Sequence, residues 1–440
     1  MSSPSPIPSA SQVGPPGRES ISRGSLAIAA FSTIVEWYDF TLYLYFATVL
    51  SRVFFGGGSG SLLTALGGFA IAYFMRPLGA VFFGHIGDRI GRRHMLLISV
   101  ALMTAAMLAT ALLPTYSQIG AAAGWLLFLL RCVMGFSVGG EYTGVVAYLL
   151  EGAPQNRRGL IASLASAASE IGALMAVGIS ATTVALMDEA SLQSWGWRIP
   201  FLFGALLAAT VWIARSTMEE SPEFHRQVSA GTVPANPLRH CLANHRGAIG
   251  RAFAISALCS ITYYVGITYV PAFLTSAGAL GEKTSLSLST AAAVMVILVT
   301  PVVGALSDRF GRKPVLTALS MGNVLLPAAM FALMASGSHM HALTGAFVLA
   351  ALAGGVSAVG AVATAEQFPG EGRVTGLALG ATGATAIFGG LTPYFAQLLV
   401  ERTGWSMASG AMIAAVSLCV LPLFLVMKET RPTPDGGQVG

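Results

Sequence analysis

The sequence predicts an all-α membrane protein whose twelve transmembrane helices form two parallel six-helix repeats. Three observations predict it. Of the 440 residues, 54% are hydrophobic and only 10% charged, with a mean hydropathy of +0.71, whereas a soluble domain carries about a quarter charged residues. Twelve apolar runs each come near or exceed the roughly 20 residues that a helix needs to cross a bilayer. A basic motif occurs twice, "GHIGDRIGRR" at 84–93 and "GALSDRFGRK" at 304–313, offset by 220 residues.

The apolar runs cover about 25–50, 61–84, 94–113, 120–150, 159–187, 197–216, 248–276, 285–307, 314–336, 341–366, 373–399 and 406–428. They are continuous rather than alternating, so they read as helices and not as barrel strands. Before them, residues 1–22 are rich in Ser, Pro and Gly and are expected to be a disordered cytoplasmic tail. The first apolar run is too long for a signal-peptide core. An N-terminal bundle is expected over 23–217, a mostly polar cytoplasmic linker over 218–247, a C-terminal bundle over 248–430 and a second tail over 431–440.

Orientation follows from Lys and Arg. With the N-terminus inside, eighteen of the 24 lie in inner connections or tails, four lie outside, and Arg76 and Arg131 fall within spans. Both termini are therefore expected to face the cytoplasm. The net charge of +5 reports topology, not nucleic-acid binding. Cys132, Cys241, Cys259 and Cys419 show no CxxC spacing, so neither a disulfide nor a metal site is expected. There is no Walker lysine motif and no HExxH. "GFSVG" at 135–139 fits the nucleophile-elbow pattern but lies inside a spanning helix, not at a strand-to-helix turn. The chain is read as no enzyme and as needing no cofactor, its energy coming from an ion gradient or the substrate's own.

Ionisable residues within spans cost roughly 2.5–3.5 kcal/mol each on insertion scales, so each asks for a reason. At about 1.5 Å per residue, Glu36 and Asp39 lie roughly 16–21 Å into the first span, on one face because they are i and i+3. Arg131 in the fourth span and Glu170 in the fifth reach about the same depth, and Glu141 lies closer to the cytoplasm. Arg131 is the expected anchor for a substrate carboxylate, because guanidinium stays charged and its fork matches a carboxylate. Asp39, Glu36, Glu141 and Glu170 are the expected proton-coupling acids, with Asp39 pairing with Arg131 in the empty site. The alternative is that these charges only fasten helices to one another. Arg76, in "FMRPLG", reads more as a helix-end residue, and Arg198, in "WGWRIPF", as a cap or outer closure. The C-terminal half offers Tyr263, Tyr264 and Tyr269 where the N-terminal half offers acids; Tyr263 and Tyr264 are expected to contact substrate or to sit in an interfacial belt. Gly135, Gly139, Gly140 and Gly144, and Gly372, Gly376 and Gly380, are small-xxx-small patterns for close helix packing.

Two further matches extend the repeat: "EGAPQNRRG" from Glu151 with "EQFPGEGRVTG" from Glu366, and loosely "EESP" at 219–222 with "KETRP" at 428–432. Twice-occurring G-xxx-D-R-x-G-R-[RK] in six-plus-six spans resembles the major facilitator superfamily and implies its fold. "VEWYDF" (35–40), "RCVMGFSVGGEYTG" (131–144), "WGWRIPF" (195–201) and "ATAIFGGLTP" (384–393) resemble its metabolite:proton symporter branch, which includes proline/betaine, alpha-ketoglutarate, shikimate and citrate carriers. The resemblance implies a cytoplasmic latch made by Asp88, Arg89, Arg92 and Glu151 in one half and Asp308, Arg309, Arg312 and Glu366 in the other. It also implies proton-coupled uptake of a small carboxylate-bearing metabolite such as an organic acid; an osmolyte of the proline/betaine kind or a proton-coupled efflux antiporter is the alternative. The branch usually reads RxxQGFS where Met134 stands here. The expected partners are a small-molecule substrate, protons and the lipid bilayer, with no nucleic acid. A monomer in the bacterial inner membrane is expected.

Overall fold

The computed structural model describes residues 21–58, 61–276, 280 and 282–431. The expectations for tail residues 1–20 and 432–440 lie outside the described residues. The N-terminal six spans are Arg23–Tyr45 with Ala47–Phe55, Ser61–Tyr73 with Met75–Arg89, Arg92–Ala111, Ala122–Gly139 with Glu141–Gly152, Arg158–Leu186, and Arg198–Ser216. Linker helices Pro222–Ala230 and Pro237–Asn244 follow. The C-terminal six are Arg246–Tyr263 running on through a wide turn to Val270–Ser276, Glu282–Phe310, Arg312–Leu325 with Pro327–Met334, His339–Ala365, Arg373–Leu377 running on through Gly383–Phe388 to Thr392–Thr403, and Ala408–Val426.

Eight described helices are each long and apolar enough to cross a membrane alone, and a ninth span is a pair bent by 43° at Leu326. The remaining three spans, the first, second and eleventh, are interrupted; the first changes helix at Phe46, and the other two interruptions have sequence causes. The second span breaks at Phe74, with Pro77 in the first turn of the new helix, where a missing N–H is harmless. The eleventh breaks at Gly389–Leu391, just before Pro393. The fourth, one of the eight, also changes helix at Gly140.

The second and fourth spans pack backbone to backbone. A Cβ at Gly79, Gly135 or Gly139 would overlap the carbonyls of Phe136, Ala72 and Arg76, which is the close approach that small residues permit. The halves meet along two seams, the fifth span against the eighth and the second against the start of the eleventh. Between these seams lies the cavity.

Candidate functional site

The cavity has a volume of about 180 Å³ and is lined by both halves. From the N-terminal half come Glu36 and Trp37 (first span), Tyr73 and Arg76 (second) and Glu170 (fifth); from the C-terminal half come Ser260, Tyr263 and Tyr264 (seventh) and Thr385 (eleventh). Arg76 Nη2 donates to Glu36 Oε1 at 2.9 Å, with side chains 13% and 3% exposed. The guanidinium lies 5.2 Å from the Phe40 ring centroid and 5.0 Å from that of Tyr73. Across the cavity, Tyr263 Oη donates to Glu170 Oε1 at 2.5 Å and stacks edge-on against Trp37 at 5.4 Å. The Tyr73 and Tyr264 hydroxyls join the halves at 2.8 Å. The Trp37 indole N–H is buried with no acceptor among the described residues.

Glu36 and Glu170, expected as proton-coupling acids, and Tyr263 and Tyr264, expected to contact substrate, thus line this cavity. Arg131, Asp39 and Glu141 do not line this cavity. Arg131 is held by Asp39 through two hydrogen bonds, 2.7 and 3.2 Å, beside a separate pocket of about 30 Å³. Counting residues gave its depth correctly as mid-span but not its direction: it points to the first span, under the Tyr43 and Phe201 rings. Met134 is buried in the same region, so the missing branch glutamine also faces away from the cavity. Glu141 sits in the first turn after the fourth-span break and is clasped by fully buried Arg215, which also bonds Ser32 and the Leu96 carbonyl. Ser99 donates to the same carboxylate at 2.5 Å. Arg198 caps the Ser194 and Leu113 carbonyls.

Sequence reasoning missed Arg76 as the cavity's cation. The signal was Pro77 beside it: a proline inside a span marks a break, and the break turns Arg76 into a first-turn residue at mid-span rather than a helix-end residue.

On the face carrying the basic motifs the halves are joined by two equivalent bonds. Asp88 accepts the N–H groups of Val374 and Thr375 at the start of the eleventh span, at 3.2 and 2.8 Å. Asp308 accepts those of Gly159 and Leu160 at the start of the fifth, at 2.8 and 2.9 Å. A carboxylate on the first-turn N–H groups of a helix satisfies orphan donors and meets the positive end of the dipole. Arg92 braces Asp88 and Glu151, and Arg312 braces Asp308 and Glu366. Arg373 adds a bond to Glu151 across the seam at 2.8 Å. Arg89 and Arg309, expected in the latch, are exposed and lie outside it, because each points away from the seam at the last turn of its helix. Glu220 accepts the N–H groups of Arg92 and Arg93, and Glu429 those of Arg312 and Lys313. These are the residues after the sixth and twelfth spans that the sequence matched only loosely. Gly91 and Gly311 hold φ of 122° and 104° at those turns, a conformation that favours glycine.

The latch buries Cys241, whose thiol donates to the Gly372 carbonyl at 3.0 Å; burial pushes its pKa up to about 12. Asp88→Asn removes a charge-assisted bond worth about 1.5–3 kcal/mol. It is expected to raise the alkylation rate of Cys241 about tenfold, read by peptide mass spectrometry. An unchanged rate would mean the bond does not hold this face shut.

A family model described as "Sugar (and other) transporter" matches residues 26–236, and one described as "Major Facilitator Superfamily" matches 277–439. The chain is 31% identical over 428 residues to the glycine betaine/proline/ectoine/pipecolic acid transporter OusA of Dickeya dadantii, covering 94% of this chain and 85% of that one. It is 31% identical over 409 residues to the citrate-proton symporter of Klebsiella pneumoniae, with 90% of each covered. It is 32% identical over 425 residues to the shikimate transporter of Escherichia coli, with 94% and 97% covered. Among solved structures, the proton:xylose symporter XylE bound to 6-bromo-6-deoxy-D-glucose superposes with a TM-score of 0.75 at 20% identity, over 93% of this chain and 96% of that one.

Proposed function

The chain belongs to the major facilitator superfamily, in the branch of proline/betaine, citrate, alpha-ketoglutarate and shikimate carriers, and from that premise we propose that it is a proton-coupled symporter taking up a small carboxylate-bearing metabolite. The observation that carries this reading is the Arg76–Glu36 pair on the central cavity. Arg76 can exchange its partner. When a substrate carboxylate enters, it takes the guanidinium fork and the Trp37 N–H, and Glu36 loses its counter-ion. A carboxylate left unpaired in an apolar site is costly and takes up a proton instead. Substrate and proton are then bound together and released together. The cavity is smaller than the roughly 300–1,000 Å³ of drug-sized pockets, which suits a small metabolite.

The orientation proposed is with both termini and the latch in the cytoplasm, in a bacterial inner membrane. On that orientation the latched state precedes release of substrate inside. Within the carboxylate class an organic acid is the first reading. A zwitterionic osmolyte is the second, favoured by the wall of Trp37, Tyr73, Tyr263 and Tyr264, since aromatic faces attract a quaternary ammonium by about 0.5–2 kcal/mol.

Reconstituted uptake tests the proposal with citrate, shikimate, alpha-ketoglutarate and glycine betaine, with and without an inward proton gradient. Accumulation of one of them only when the outside is acid supports symport; expulsion under the same gradient would replace it by efflux antiport. Tyr263→Phe breaks the bond to Glu170 between the halves. At about 1 kcal/mol for the bond, uptake is expected to fall about fivefold in the same assay, and unchanged uptake would make the contact incidental.

A further inference from the structure

Beside the central cavity lies the pocket of about 30 Å³ bounded by both mid-membrane ion pairs, Glu36–Arg76 and Asp39–Arg131. Its other walls are apolar or aromatic, among them Ala72, Met134 and Val138. Glu36 and Arg131 are 2% and 4% exposed. Among the described residues, Glu36 Oε2 and Arg131 Nε are buried with no protein hydrogen-bond partner. Buried polar atoms of this kind are satisfied in folded proteins by protein or by ordered water, and here two of them belong to charged groups on one small pocket. A polar pocket needs about 10–15 Å³ to hold a water, and the water needs two to four partners. This pocket has the room, with an acceptor on one side and a donor on the other.

We propose that the pocket is a hydration site, and that its water passes a proton between Asp39 and Glu36. The inference rests on the symport reading above. In the step, the Asp39 carboxyl gives its proton to the water, which gives another of its protons to Glu36 Oε2. Asp39 ends as carboxylate on Arg131, Glu36 ends as neutral acid, and the water is regenerated. Glu36 and Asp39 are i and i+3 on the first span, so the relay runs along one helix face. The charged and titratable groups facing Glu36 are Arg76, Glu141, Arg215, Tyr142 and Tyr264. Those facing Asp39 are Arg131 and Tyr38. Glu36 therefore stands between its cavity partner Arg76 and the relay. Loading of Arg76 by a carboxylate and arrival of a proton from Asp39 meet on one side chain.

Two measurements test this. A density map of the full chain at a resolution that shows waters should contain one within hydrogen-bond distance of Glu36 Oε2, of Arg131 Nε and of an Asp39 carboxylate oxygen. A dry pocket there overturns the proposal, whatever the transport assay shows. Ala72→Val adds two methyl groups to the pocket from a wall that belongs to neither ion pair. In vesicles loaded with a pH dye, it should lower substrate-driven proton entry at least tenfold while leaving equilibrium binding of the transported solute (citrate, shikimate, alpha-ketoglutarate or glycine betaine) within about twofold. Ala72→Ser, which adds little volume, should behave as the wild type. Wild-type proton entry in a folded Ala72→Val protein refutes the relay. Absence of any proton-linked uptake in the wild type refutes the symport reading and leaves the water site to be judged by the map alone.

Discussion

Arg76→Gln is expected to lower uptake about a hundredfold or more, with the loss seen in substrate binding as well as in transport. The guanidinium is the one cation among the residues lining the central cavity. Truncating one partner of a buried charge pair costs about 2–5 kcal/mol, and a hundredfold corresponds to about 2.8 kcal/mol. Part of that cost is the stranded Glu36 carboxylate, so Arg76→Gln/Glu36→Gln is the informative companion. The double variant has no unpaired charge and should regain thermal stability, but not binding. Arg76→Lys keeps the charge without the planar fork and should fall between. Recovery of uptake in the double variant would show that Arg76 serves only to neutralise Glu36.

The latch and the cavity differ in how they use the duplicated sequence. On the basic face the duplication is kept at the level of single bonds: Asp88 and Asp308 each hold the opposite half's helix start, and Arg92 and Arg312 each brace them. At mid-membrane it is lost. The first span carries Glu36 and Asp39, and the seventh carries Tyr263 and Tyr264. A symmetric set of contacts on the basic face thus accompanies an asymmetric cavity, in which one half carries the charges and the other supplies Ser260, Tyr263, Tyr264 and Thr385.

The spans and the latch aspartates were legible because both are written in local pattern: twenty-residue apolar runs, and a motif repeated with its glycines intact. The direction of a side chain inside the bundle is hardly written locally: Pro77 marks a break beside Arg76 but not which way the side chain turns. Arg131 and Arg76 both sit in spans, yet which of them meets the cavity depends on the break at Phe74 and on backbone contact at Gly79, Gly135 and Gly139. Counting basic residues also hid some structure. Arg92, Arg215 and Arg312 score as loop charges on one side of the membrane, but they are among the largest fully buried side chains. Each is paired with a carboxylate distant in sequence, Glu151, Glu141 and Glu366. Only the fold brings those partners together.

Breaking the Asp39–Arg131 pair should instead act first on stability. Both side chains are nearly fully buried, at 3% and 4% exposure, and bind through two hydrogen bonds. Removing one partner leaves an uncompensated charge and costs about 3–5 kcal/mol, whereas replacing both by apolar residues is often neutral. Arg131→Met and Asp39→Leu are therefore expected to lower the unfolding temperature in detergent sharply, and the double variant to recover most of the loss. Additive losses would contradict a direct pair. Function should not follow stability in the double variant. Arg76 is untouched, so binding of substrate should persist, while the first acid of the relay is gone, so accumulation against a gradient should fail. If binding disappears with Arg131 in a protein that is otherwise stable, the carboxylate anchor lies in the fourth span after all, and Arg76 is its neighbour rather than its replacement.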